Sequence, residues 1–161
     1  MAEPDRIPLD SSYWLRPQMA KALGLLTELL AIESPESQHV SNFIDSFEES
    51  SDAMDIEYFA TVPYLLDLFE AEPKKLQNSL IAFSGSLFKA SGPNPGLDES
   101  WDQVLAHKKR IGKIFLSALF ECKPESELAV ACISGLAAIF VFPDSAITLF
   151  RILNDQDEWS G

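Results

Sequence analysis

Phe69-Glu70-Ala71-Glu72-Pro73 is echoed 51 residues later by Phe120-Glu121-Cys122-Lys123-Pro124. Leu65 and Leu116 keep the same offset, and Leu87-Phe88 and Ile139-Phe140 follow at an offset of 52. Each copy places an aromatic and an acid before a proline, which removes a backbone donor and ends a helix. Each is followed by a second apolar run. The unit is therefore a helix, a stop and a helix, repeated. Its period exceeds the roughly 40–47 residues common in two-helix repeats. The loop Ser91-Gly92-Pro93-Asn94-Pro95-Gly96 accounts for the excess. A weaker copy ends at Pro35.

Working outward, apolar residues recur at helical spacing. Pro17 opens a first helix to about Ile32, with Met19, Leu23, Leu26, Leu29 and Leu30 along it. Ser34-Pro35-Glu36 reads as N-cap, first helical residue and first-turn acid of a second helix. That helix carries Val40, Phe43, Ile44 and Phe47 on one face, and a polar link from Glu48 to Asp55 follows. A third helix spans Ile56 to Ala71, with Pro63 a point of kinking or delayed start. A fourth covers about Lys74 to Ala90, and a fifth about Asp98 to Cys122, with a break expected near Lys108–Arg110. The sixth, Glu125 to Val141, is apolar nearly all round and is expected to be the most buried. A seventh runs from Pro143 to about Asn154. No segment sustains the period-2 alternation of a strand.

These readings predict an all-α fold. Stacked helix pairs bury faces that one pair cannot, so the expected form is a short α-solenoid of about three antiparallel pairs, stacked right-handedly. An irregular helical bundle is the competing arrangement. The 161 residues suit a single domain, with a polar N-terminal arm over 1–15 and an acidic tail over 155–161.

Net charge is −13 and uneven: residues 1–60 hold 12 acids against 3 bases. Such a chain repels nucleic acid and anionic membrane and attracts basic protein. The longest apolar stretch, Leu128 to Phe142, is shorter than the roughly 20 residues of a membrane span. Met1-Ala2-Glu3-Pro4-Asp5 has no basic and apolar leader pattern, and Cys122 and Cys132 are the only cysteines, so a reducing cytoplasm is the expected location.

Candidate chemistry is sparse. Glu36-x-x-His39 has the spacing of a di-iron ligand pair, but no second copy accompanies it. Ser84-Gly85-Ser86 sits in a helical pattern, which suits close packing rather than a nucleophile elbow. Lys108, Lys109, Arg110 and Lys113 form a basic cluster, read as a solvated face or a partner for acids elsewhere. No metal, cofactor or small-molecule substrate is expected, and no enzymatic activity. Asp45, Glu48, Glu49, Asp52, Asp55 and Glu57 place six carboxylates in thirteen residues without a base. They read either as a charged linker or as a docking surface for a basic protein, with Tyr58 as its aromatic anchor or as a ring packed inward.

The run Tyr58-Phe59-Ala60-Thr61-Val62-Pro63-Tyr64-Leu65-Leu66-Asp67-Leu68-Phe69 resembles a segment of bacterial HEAT-like repeat proteins, where an aromatic and a Thr precede Val-Pro-aromatic-Leu-Leu. The likeness extends over about residues 40–154 and departs at the loop 91–97 and in the lack of a partner helix after 154. It implies a HEAT-like solenoid. Small acidic proteins of this kind resemble immunity proteins encoded beside secreted polymorphic toxins. That resemblance implies stoichiometric binding and neutralisation of a cognate toxin. An adaptor that holds another basic protein is the second expectation.

Overall fold

The structure, a computed structural model, describes residues 7–50, 56–90 and 104–140. Among them every regular element is helical and none is a strand. The α-helices are α1 Pro17–Ala31, α2 Ser37–Ser50, α3 Ile56–Ala71, α4 Leu80–Ala90, α5 Lys108–Glu121 and α6 Glu127–Ile139. The stretch 98–103 of the expected fifth helix, and the whole expected seventh helix, lie outside the described residues. So do the loop 91–97 and the tail.

The N-terminal arm is tied down. Ser11 accepts a hydrogen bond from the Tyr13 amide and opens a 3-10 turn over Ser12–Leu15. That turn drives Trp14 to 0 % exposure, and its indole Nε1 donates to the Pro8 carbonyl at 2.9 Å. From α3, the Tyr64 hydroxyl donates to the Ile7 carbonyl at 2.6 Å. Pro17 then starts α1 at its first position, where a missing amide costs nothing.

Helices α1 and α3 occupy the expected ranges, and α3 runs unbroken through the buried Pro63. Two starts differ from expectation. α2 begins at Ser37, because Glu36 rather than Ser34 supplies the first carbonyl, accepting from His39 and Val40. Residues Lys74–Ser79 form turns and a 3-10 segment, Gln77–Ser79, before α4. Ser79 Oγ donates to the Leu76 carbonyl at 2.6 Å, a local bond that competes with α-helical pairing. Ala106 and His107 make the turn that precedes α5, close to the expected break. Ser126 caps α6 by accepting from the Ala129 amide at 3.1 Å.

Two rows result. α1 packs on α3 and α3 on α5; α2 packs on α4 and α4 on α6. α1–α2 and α5–α6 contacts link the rows. The α3–α4 join is aromatic, with Phe69 and Phe83 at 5.3 Å between ring centroids, and Phe83 stacks on Phe115 of α5 at 5.8 Å. A second aromatic run, Phe43, Phe47, Tyr58 and Phe59, joins α2 to α3. Burial of each such ring contributes about 1.5–3 kcal/mol. Leu128, Leu136, Ile139 and Phe140 are buried as expected, but α6 is not buried all round: Val130 is 60 % and Ile133 56 % exposed.

The repeated pentapeptides do mark equivalent places, the ends of α3 and α5. Their packing diverges. Phe69 is buried, whereas Phe120 is 61 % exposed.

Candidate functional site

The acidic stretch straddles the join between α2 and α3. Asp45 is exposed on α2. Positions 48 and 49 fall in the last turn of α2, not in a link, and position 57 falls in the first turn of α3. The side chains of Glu48, Glu49 and Glu57 lie outside the described residues, as do Asp52 and Asp55 altogether. The last turn of α2 holds no base.

Tyr58 is not a surface anchor. It is fully buried, 5.4 Å from Phe47 and 5.4 Å from Phe59 by ring centroids. Its hydroxyl shares a 2.7 Å hydrogen bond with Ser86 Oγ of α4, and Ser86 also lies 2.7 Å from the Phe83 carbonyl, to which it donates. The signal was in the spacing. Tyr58 stands four residues before Val62 and continues the α3 face of Val62, Leu65, Leu66 and Phe69, all buried.

An apolar anchor point exists nearby, and sequence reading did not find it. Between α1 and α2 an open groove of about 180 Å³ is floored by Leu25, Leu29, Ile32 and Phe43. Glu28, His39, Asn42 and Ser46 complete its walls. Ser46 adjoins Asp45, so the groove opens beside the acidic end of α2. Lys21 reaches across from α1 to the Ser46 carbonyl at 3.2 Å and fixes the two helices there. A larger cleft, about 320 Å³, lies where α3 ends and α4 begins, against α5. Phe69, Leu80, Ile114 and Ala118 line it, with Glu70, Lys113 and Glu121 among its polar groups.

The other candidates resolve into structural parts. His39 Nδ1 accepts from the Glu36 amide at 2.9 Å, so the Glu-x-x-His spacing forms a helix-start motif that closes the first turn of α2. Among the described residues no three His, Cys, Asp or Glu are grouped to hold a metal ion. In the basic cluster, Arg110 donates to Asp67 at 2.9 Å and to both carboxylate oxygens of Glu70, at 2.5 and 3.2 Å, joining α5 to α3. Ser84 Oγ donates to the Ala131 carbonyl at 2.5 Å, which brings α4 against α6. Cys132 is buried, and burial with a smaller effect from Cys122 pushes its thiol up to about 12. Among the described residues no helix is long and apolar enough to cross a membrane.

Comparison with family models, with curated proteins and with solved structures gives no match to this chain.

Proposed function

We propose that this chain is a stoichiometric protein-binding module in the form of a short HEAT-like solenoid, and that it captures a basic partner at its α1–α2 end. The observation that carries this reading is the apolar groove between α1 and α2, with Glu28 on its wall and the exposed Asp45 next in the chain to its Ser46. Interfaces combine apolar anchors in pockets, which set residence time, with surrounding charge, which sets association rate. Both parts are present at this end. The two rows of helices support the solenoid form, since each helix packs on its neighbours along a row. A partner side chain enters the groove in place of Tyr58 acting as the anchor.

The partner class that fits best is a basic bacterial toxin, which makes the chain an immunity protein working in the cytoplasm by occlusion rather than by catalysis. The net charge of −13 supports this, since small acidic proteins of this kind resemble immunity proteins. The test is calorimetric titration of the chain against the product of the adjacent gene, with toxin activity followed in parallel. Binding should saturate near one equivalent, and inhibition should track occupancy. Protection at far below one equivalent, with turnover of a modified toxin, would overturn the reading. The second cleft against α5 favours one other reading, an adaptor that engages two proteins at separate places.

A further inference from the structure

Helices α1 and α2 form a hairpin at one end of both rows: α1 packs on α3, and α2 packs on α3 and α4. Among the described residues, the groove between them is lined from this pair alone, and the lining repeats at helical spacing. Leu25, Leu29 and Ile32 come from α1 and the residue that follows it; His39, Phe43 and Ser46 come from α2. Each set covers the rise of two helical turns, so the groove runs about 10 Å along each helix. The hairpin is held at both ends of the groove. Lys21 Nζ donates to the Ser46 carbonyl at 3.2 Å. Lys75 Nζ, from the turn after α3, donates to the Ser34 carbonyl at 3.0 Å and pairs with Glu36 at 3.4 Å.

The charge around the groove is mainly negative. Residues 21–46 carry Glu28, Glu33, Glu36 and Asp45, all exposed, against Lys21. Glu28 stands on the groove wall itself. Lys21 and Lys75 direct their ammonium groups at carbonyls of the hairpin, so the carboxylates set the charge that a ligand meets. The spacing of the floor discriminates between ligand backbones. Holes three to four helical residues apart match apolar side chains at i, i+4 and i+7 of another helix. A strand rises about 3.3 Å per residue and turns every second side chain inward, which falls out of step with them. The end of the rows is also where a further helix pair stacks in a longer solenoid.

Resting on the reading that the chain captures a basic partner at this end, we infer that the groove takes an amphipathic helix of that partner. Apolar residues at i, i+4 and i+7 of that helix lie on Leu25, Leu29 and Phe43, and a Lys or Arg beside the stripe pairs with Glu28. The floor selects for helical spacing and the wall selects for positive charge. A helix with the same stripe and an acid in place of the base sets two carboxylates against each other at Glu28, which excludes it.

The probe is a labelled synthetic peptide of about 15 residues, with Leu at i, i+4 and i+7 and Lys beside the stripe, titrated with the full chain and read by fluorescence anisotropy. One control carries Glu in place of Lys; the other keeps the composition and moves Leu to alternate positions. The Lys helix should bind at least ~10-fold more tightly than either control. Glu28→Lys should reverse the charge order, weakening the Lys helix at least ~10-fold and admitting the Glu helix. Leu25→Lys should weaken the Lys helix at least ~10-fold by spoiling the floor. Unchanged circular dichroism establishes that each variant is folded. Equal binding of the Lys helix by all three chains would overturn the inference, since only general attraction of opposite charges would then be at work. Equal binding of the helical and alternating peptides would overturn it too. The same variants are titrated against the product of the adjacent gene. Capture of that product by all three chains alike sinks the helix inference and leaves the capture reading standing. A groove that takes the Lys helix in a chain that captures no such product sinks the capture reading alone.

Discussion

The Phe115 ring lies so close over Gly135 that a Cβ at position 135 would come within 2.6 Å of Phe115 Cζ. The ring cannot withdraw, because it is fully buried and stacked on Phe83. Gly135→Ala therefore reverses the usual gain of roughly 0.5–1 kcal/mol from removing a helical glycine. Overpacking of this kind costs about 1–3 kcal/mol. Urea unfolding should show a lowered midpoint with an unchanged slope. A raised midpoint would mean that α5 and α6 separate freely.

The buried pair of Tyr58 and Ser86 divides the role of one side chain into two parts. Tyr58→Phe removes the hydroxyl and should cost about 0.5–1.5 kcal/mol, while Tyr58→Ala empties an aromatic site and should cost about 3–5 kcal/mol. Neither should alter partner dissociation once stability is restored by a milder temperature. A folded Tyr58→Ala chain that releases its partner faster than wild type would show that the ring reaches the interface.

Reversal of Glu48, Glu49 and Asp52 to Lys tests the acidic end of α2. Association with the basic partner should slow by at least ~10-fold at low ionic strength and by much less at high. Stability should not fall. Lys in the last turn of a helix complements its dipole and contributes about 0.3–1 kcal/mol, so thermal unfolding should be unchanged or slightly later. An unchanged association rate at low salt would reduce these acids to a solubilising run.

The two thiols should separate by reactivity. Cys132 is buried, and its thiol is pushed up to about 12, so it stays protonated and covered, whereas Cys122 is only half-buried. Alkylation at pH 8 should label one thiol per native chain and two per unfolded chain. Stability also acquires a pH dependence. The unfolded thiol loses its proton near its ordinary value of 9, while the folded one holds it to about 12. The unfolded state is thus favoured progressively as pH rises through that window, and below it this group adds no pH dependence.

Much of the fold was legible because its signals are local. Pro17 and the 3.6-residue spacing of Met19, Leu26 and Leu29 define α1, and the same logic defines α3. The late start of α2 was hidden because Ser34, Pro35 and Glu36 offer overlapping capping patterns. Only the His39 side chain, which accepts from the Glu36 amide, chooses between them. Ser34 is used elsewhere: its carbonyl accepts from Lys75 Nζ at 3.0 Å. The site was less legible. Six carboxylates within thirteen residues are visible in a string of letters, but a groove needs two helices to be set side by side. Leu25 and Phe43 are far apart in sequence and meet only through packing. Likewise α6 reads as apolar all round, and nothing in its own letters tells which third of it stays uncovered.

The rows of helices also govern how the molecule opens. The contact between α4 and α6 joins positions as far apart as Ser84 and Ala131, so that half of the molecule forms only after a long loop has closed. Contact is richest between α4 and α6 and sparser around α1 and α2. Amide exchange should follow that gradient, with α1 and α2 opening at lower free energy than the opposite half. The end with the groove and the acids is then the end that breathes. A bound partner would slow exchange first in α1 and α2, tightening the part of the chain that is loosest when alone.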